Sequence, residues 1–424
     1  MITRLFIADS IDDGSRILGV GVNYDASLTQ DGSTGALYVG DGPGGSNAIY
    51  QFTADFGLTA SVGAAGSGSA FSFDGLAING SALFTAGFVF ASPNYEPTAA
   101  KWVKSPIAYT AGENTGFAVM GSTSATRFRA ACANGGTGAY VAGDRSTDQM
   151  LIGSVASTGA FGWVYRFIEV AGYLSAASIY EVALDSSSGD MVIGGTITRN
   201  SDSDVRGLVA AFNSSGTLQW GYELHGTGSN RVAGLCCDAS GNSYVALGGS
   251  GGAVPLIAKL DGSGAVTATL NLDTSQVTDL YGIYRQGTTI IAAGAHASGG
   301  LAIVLTNTSL STPTGARLYD TAGAMSYPRT VRFGYYGGFY FFNFAANGGN
   351  LCLAKLSPAI LAVPTATFGN RFQIVPFTPA SAAYTLSTTS TGANYTTSAA
   401  TPDLDAISSS SAIASPSLTD YFAS

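Results

Sequence analysis

A short apolar run closed by glycine, or by asparagine in the last copy, recurs seven times along this chain. The copies are Ala36–Gly40, Leu83–Gly87, Tyr140–Gly143, Met191–Gly194, Tyr244–Gly248, Ile290–Gly294 and Tyr340–Asn343. Successive copies lie roughly 46 to 56 residues apart, the repeat length of a propeller blade rather than of a helical solenoid. The length of 424 residues would otherwise suggest two or three domains, but a repeat whose units bury their faces on one another absorbs the whole length in one ring. The periodicity therefore predicts an all-β, seven-bladed β-propeller of four-stranded antiparallel blades. The blades are expected at about 16–63, 72–110, 127–168, 179–225, 232–273, 280–320 and 328–369.

The fifth repeat shows the unit most clearly. Val232–Cys237 reads as a strand, and Asp238-Ala239-Ser240-Gly241-Asn242 as its turn, rich in residues that accept positive φ. Ser243–Leu247 is the next strand and Gly248–Gly252 the next turn. Pro255–Leu260 then alternates into Asp261-Gly262-Ser263-Gly264, a tight hairpin signal, and Ala265–Leu270 closes the blade. The fourth repeat repeats this plan through Tyr180–Asp185, Met191–Gly195, Leu208–Phe212 and Thr217–Trp220. These stretches resemble the degenerate propeller repeat of bacterial and phage proteins, D-x-S-G-N-x-Y-V-x-G followed by K-L-D-x-x-G. The resemblance is strongest over residues 179–272. It implies an architecture and carries no site, because propellers of this sort serve many functions.

Charge is scarce. Charged residues make up 11% of the chain, against about 25% in ordinary proteins, so Ser, Thr, Asn and Gly must form much of the surface. Such a surface suits either cover by partner subunits or a glycine-rich extracellular module. The net charge is −9, and Lys101, Lys104, Lys259, Lys355 and fourteen arginines are scattered singly. No basic run is available to release counterions from a phosphate backbone, which argues against nucleic acid as a partner. The start, Met1–Asp9, reaches acidic residues too early for a signal peptide, and no apolar run is long enough to insert in a membrane. Cys132, Cys236, Cys237 and Cys352 fall at strand positions and read as free buried thiols.

Residues 1–379 are expected to form the propeller, with residues 3–8 as the strand that closes the ring; Phe372–Phe377 competes for that place. Residues 380–424 differ in kind, about two thirds Ser, Thr or Ala without a helical period. They read as an extended arm, ordered by its own propeller or by a neighbouring subunit through Leu404, Ile407, Ile413, Leu418, Tyr421 and Phe422.

No catalytic set emerges. Gly248-Gly249-Ser250-Gly251-Gly252 matches the G-x-S-x-G nucleophile pattern but joins two antiparallel strands with no following helix. Asn200–Asp204 spaces oxygen ligands as a calcium loop does, yet Val205 stands where glycine is needed and Ala211 where glutamate belongs. No histidine and cysteine spacing suits zinc. The sequence thus names no catalytic, cofactor or metal residue. The aromatic run Tyr335–Phe344 reads as inter-blade core, with a stacking surface as its alternative. The apolar segment Phe88–Pro97 reads as a contact loop, with Phe88, Phe90 and Tyr95, together with Leu418, Tyr421 and Phe422 of the arm, as candidate contact residues.

The expectation is a non-enzymatic structural or host-recognition component of a phage virion, a tail or surface-exposed protein. Its partners would be other virion proteins or its own copies, and a host surface glycan or protein. The alternatives are a bacterial surface or exported propeller that binds glycan or protein, and a hydrolase with a carboxylate pair in its central channel.

Overall fold

In the computed structural model the chain is a closed ring of seven antiparallel sheets. The structure describes residues 6–8, 15–23, 27–40, 48–63, 71–91, 94–104, 107, 118–119, 126–145, 149–169, 174–226, 228–311, 313–321, 331–346, 350–359, 361, 366–368, 372–380, 386–390 and 395–399. No α-helix occurs among them.

Each blade is a meander whose first strand is innermost. Blade 1 spans Ser27 to Gly63, blade 2 Phe71 to Val119, with Ala118–Val119 as its fourth strand, blade 3 Thr126 to Glu169 and blade 4 Leu174 to His225. Blade 5 spans Ser229 to Asn271 and blade 6 Val277 to Asp320. Blade 7 takes Phe333–Tyr336, Phe339–Ala346 and Asn350–Leu356. The seven sequence anchors are all second strands. These are the strands covered on both faces by neighbouring blades, which is why their runs are apolar without alternation. Seven hydrophobic clusters fill the seven inter-blade layers, including the one between blades 7 and 1 around Leu18, Val39, Phe341 and Leu353. The aromatic run divides between two layers: Tyr340, Phe342 and Phe344 face blade 6, and Phe341 faces blade 1.

The repeat turns have a simple chemistry. The Asp238 carboxylate accepts the backbone N–H of Ser240 (2.8 Å) and of Asn242 (2.9 Å), and Gly241 takes φ +80°. Asp261 does the same for Ser263 and Ala265, at 2.9 and 3.1 Å. The turn glycine Gly264, at φ +81°, lies under Trp220 of the preceding blade, where an added Cβ would come within 2.5 Å of the ring. Tyrosine hydroxyls reach from one blade to the next: Tyr38 donates to the Lys104 carbonyl (2.8 Å) and Tyr140 to Gly189 (3.1 Å), while the Tyr244 hydroxyl lies 3.2 Å from Asp238 of its own blade and 3.4 Å from the Thr308 carbonyl.

Ring closure differs in detail from the expectation. The strand against Asn350–Leu356 is Arg16–Asn23, whose Ile17 and Leu18 are buried in the flanking layers. The sequence periodicity places residues 16–23 in blade 1, and the structure moves them to blade 7. Phe6–Ala8, expected to close the ring, pairs instead with the outer edge of Arg16–Asn23. Phe372–Phe377 lies elsewhere, as a fifth strand on blade 6 with Ala366–Phe368 outside it.

The described strands of the C-terminal extension pair with its own propeller. Ser387–Ser390 pairs with Leu218–His225 of blade 4, and Tyr395–Ala399 with Phe161–Glu169 of blade 3. Between blades 6 and 4 the extension is tied to blade 5, where the Asp273 N–H donates to the Ala380 carbonyl at 3.0 Å. Backbone pairing explains how so polar a segment docks. Ladder hydrogen bonds need no apolar side chains, and the edge of an outer strand offers unpaired groups.

Candidate functional site: the hub of the ring

The innermost strands share a feature that their residue types conceal. Each of five carries a one-residue bulge against its neighbour, at Asp74, Arg129, Tyr180, Ala233 and Tyr281 in blades 2 to 6. In blade 7 Arg332 directly precedes the inner strand, and its N–H donates to Asn343 Oδ1 at 2.6 Å. A bulge kinks a strand and re-aims its side chains, so the repeated bulges bring chemically unlike residues to one level of the hub. The residue after the bulge is held against the next blade. An added Cβ would stand 2.7 Å from the Ala130 backbone at Gly75, 2.6 Å from Ile283 N at Gly234 and 2.0 Å from the Val331 carbonyl oxygen at Gly282. In blade 4 this position is Glu181, a full-sized acid where other blades hold glycine or alanine.

Charges otherwise scarce gather here. Asp144 of blade 3 is ion-paired with Arg129 and with Arg127 (3.5 Å), and its second oxygen accepts the Ile179 N–H of blade 4 at 3.0 Å. Arg129 lies 5.3 Å from the ring centroid of Tyr180. Blades 5 and 6 repeat the arrangement. Arg231 pairs with Asp279 at 2.6 Å and stacks 5.4 Å from the centroid of Tyr281, while Asp279 accepts the N–H groups of Gly249 (2.8 Å) and Leu280 (2.9 Å). A third pair crosses the ring. Arg332 of blade 7 binds the Glu181 carboxylate of blade 4 and donates to the Tyr180 carbonyl at 3.1 Å.

Burial raises the Asp279 carboxyl against the pull of Arg231 and the two N–H donors. Burial also draws the Arg332 guanidinium down to about 10, which leaves it charged at neutral pH. Two hub atoms are buried without a hydrogen-bond partner among the described residues: Glu181 Oε1 and Arg231 Nε.

Among the described residues no group of three His, Cys, Asp or Glu is placed to hold a metal ion. The four cysteines are free thiols, and burial pushes Cys236 well up and Cys237 to about 12. In the Asn200–Asp204 loop, Asp202 and Asp204 are ion-paired to Arg206 at 3.0 and 3.1 Å. The described residues contain no helix long and apolar enough to cross a membrane.

The sequence-chosen contact residues are not brought together. Phe88 is buried within blade 2. The segment read as a loop is the end of a long hairpin, Ala82–Ala91 with Asn94–Val103, in which Phe90 and Tyr95 are cross-strand partners. The side chains of Phe90 and Tyr95, and all of Leu404, Ile407, Ile413, Leu418, Tyr421 and Phe422, lie outside the described residues. Sequence reasoning missed the hub. Its signal is faint: an arginine two residues before the bulge in blades 3 and 5, and a tyrosine at the bulge in blades 4 and 6.

No family model matches the sequence, and no curated protein matches it. Solved structures match its fold. YCF48 bound to D1 peptide aligns over 82% of this chain and 98% of its own, at 12% identity and a TM-score of 0.47. An ancestral GH74 enzyme aligns over 83% of this chain and 50% of its own, at 10% identity and 0.50. BBS1N in complex with ARL6DN aligns over 84% and 91%, at 12% and 0.40. Identities this low establish the propeller architecture alone.

Proposed function

We propose that this ring is a non-enzymatic binding protein of a phage virion, a tail or surface-exposed component that holds a partner rather than transforming a substrate. One observation carries the non-enzymatic part. Asp144, Asp279 and Glu181 are each committed to an arginine, and the first two also anchor backbone N–H groups; Asp74, the fourth acid at this level, is hydrogen-bonded to the Ser72 hydroxyl. A glycosidase needs one carboxyl group free to give a proton and another free to act as base or nucleophile. Carboxylates that double as inter-blade staples suit neither role.

The virion assignment rests on composition: few charges, a Ser/Thr/Gly surface and the likeness to phage-type repeats. The arm no longer serves it as a link to neighbours, since its described strands lie on the chain's own blades. Virion contacts then fall to the loop faces of the ring. Mass spectrometry of density-purified particles tests this reading, with the chain expected at a fixed copy number per particle. Recovery from the bacterial surface without particles would favour the bacterial alternative. Release of reducing ends from a polysaccharide, lost in Asp279→Asn, would replace the binding reading with hydrolysis.

A further inference from the structure

In each hub ion pair the arginine is the more open partner. Side-chain exposure is 31% for Arg127 against 9% for Asp144, 33% for Arg231 against 16% for Asp279, and 19% for Arg332 against 4% for Glu181. The guanidinium groups are therefore the more accessible member of each pair, so a chain of net charge −9 offers cationic groups at its hub. Arg127 and Arg129 share a single carboxylate, so donors are in excess at blade 3. Arg231 retains a buried Nε–H with no acceptor among the described residues. Asp74, hydrogen-bonded to the Ser72 hydroxyl, is the fourth acid at this level. Half-buried Tyr180 and Tyr281 stand beside the arginines.

We propose that the hub binds the carboxylate of an acidic sugar at the end of a glycan chain, an inference that deepens, and rests on, the binding reading above. A guanidinium fork matches a carboxylate in two-point geometry, and its hydrogen bonds to an anion are about twice as strong as neutral ones. A tyrosine presents a flat, partly apolar body with a polar tip, suited to the pyranose ring that carries the acid. Glu181 Oε1 stands buried and unpartnered, an acceptor for a sugar hydroxyl. A ring with arginines converging from blades 3, 5 and 7 admits a chain end more readily than the middle of a polymer.

The test uses the full chain with methyl glucuronide and N-acetylneuraminic acid as ligands and methyl glucoside as the neutral control, read by ligand-observed NMR titration. Both acids are expected to bind, the neutral sugar roughly tenfold more weakly or not at all. Added salt should weaken the acids alone. Arg231→Lys keeps the charge opposite Asp279 and loses the fork. Arg127→Gln leaves Asp144 its pair with Arg129. Each should lower affinity for the acids by roughly five- to tenfold with an unchanged thermal midpoint, which a purely structural role would not produce. The proposal is overturned if the neutral sugar binds as tightly, if neither acid binds, or if both variants bind like the parent chain. A peptide carboxylate that binds where the sugars fail also overturns it. Binding of a neutral glycan or a protein elsewhere on the ring would leave the binding reading standing while removing this site.

Discussion

The innermost strand of blade 6 runs so close to Val331 that a Cβ on Gly282 would stand 2.0 Å from a carbonyl oxygen. The outermost strand of the same blade carries two further strands, Phe372–Phe377 and Ala366–Phe368, along its free edge. Hub and rim thus obey opposite constraints. Seven inner strands converge on one axis, so backbone meets backbone, and glycine or alanine follows the bulge in blades 2, 3, 5 and 6. The blades diverge outward, and the rim has room for any strand that offers a hydrogen-bond ladder. Specific side chains and their charges are decisive at the centre, and backbone pairing at the edge.

The largest effect should come from removing a rim strand that also belongs to the core. Deletion of residues 1–23 strips Ile17 and Leu18 from the layers flanking blade 7 and leaves one edge of Asn350–Leu356 unpaired. Denaturant titration is expected to show loss of the single cooperative transition, with aggregation from the exposed edge. Deletion of residues 1–14 removes only the outer pairing of Phe6–Ala8 and should leave the transition nearly where it was. If both truncations behave alike, the core contribution of Arg16–Asn23 is not what closes the ring.

At the hub, Gly282→Val places side-chain carbon against the Val331 backbone and should cost more than about 4 kcal/mol, read as a large fall in midpoint or as insoluble expression. Glu181→Ala comes next. It strands Arg332 without its carboxylate, and breaking a buried pair from one side costs about 3–5 kcal/mol. Replacing both partners, Glu181→Ala with Arg332→Met, should recover much of that loss. A double variant as unstable as the single would show that shape, and not the stranded charge, sets the cost.

Truncation after Leu361 removes the extra strands from blades 6, 4 and 3. Each lost ladder hydrogen bond is worth about 0.5–1.5 kcal/mol, and Ile374 leaves the layer between blades 6 and 7 with them. The ring should survive with a lower midpoint and a greater tendency to aggregate. In the full chain, residues 372–380 and 386–399 should remain in the protease-resistant core of the isolated protein. Their early loss would mean that the rim pairing is too weak to matter and would return the arm to a neighbouring subunit.

Much of this ring was legible before any coordinates, and the reason is local. Second strands such as Tyr244–Leu247 are buried on both faces, so their composition is constrained and repeats visibly. Turns such as Asp238–Asn242 need an Asx acceptor and a positive-φ glycine, so they repeat too. The bulges were hidden because their constraint is on backbone geometry: Asp74, Arg129, Tyr180, Ala233 and Tyr281 share a register and no chemistry. Arg332 and Glu181 lie 151 positions apart, and only closing the ring makes them partners. Two of the rim strands, Ser387–Ser390 and Tyr395–Ala399, escaped notice for the converse reason. Ser387–Ser390 is held by main-chain bonds, which leave no apolar pattern to read.

The smallest effect concerns the tyrosines that lie between hub and rim. Burial, reinforced by Asp31 and Asp238 respectively, pushes Tyr38 and Tyr244 up to about 12; burial raises Tyr140 as well. An unfolded tyrosine titrates near 10, so the fold favours the protonated hydroxyl that reaches the next blade. That contribution is complete below about pH 10 and disappears as pH rises from about 10 to 12. The thermal midpoint should therefore be flat at mildly alkaline pH and fall across that window, with phenolate absorbance rising together with unfolding. Tyr244→Phe should cost about 1 kcal/mol at neutral pH and make the alkaline fall shallower. Phenolate absorbance that rises fully near pH 10 in a chain still folded would show that these hydroxyls are not fasteners, and the blades would then owe their registry to the apolar layers and the hub staples.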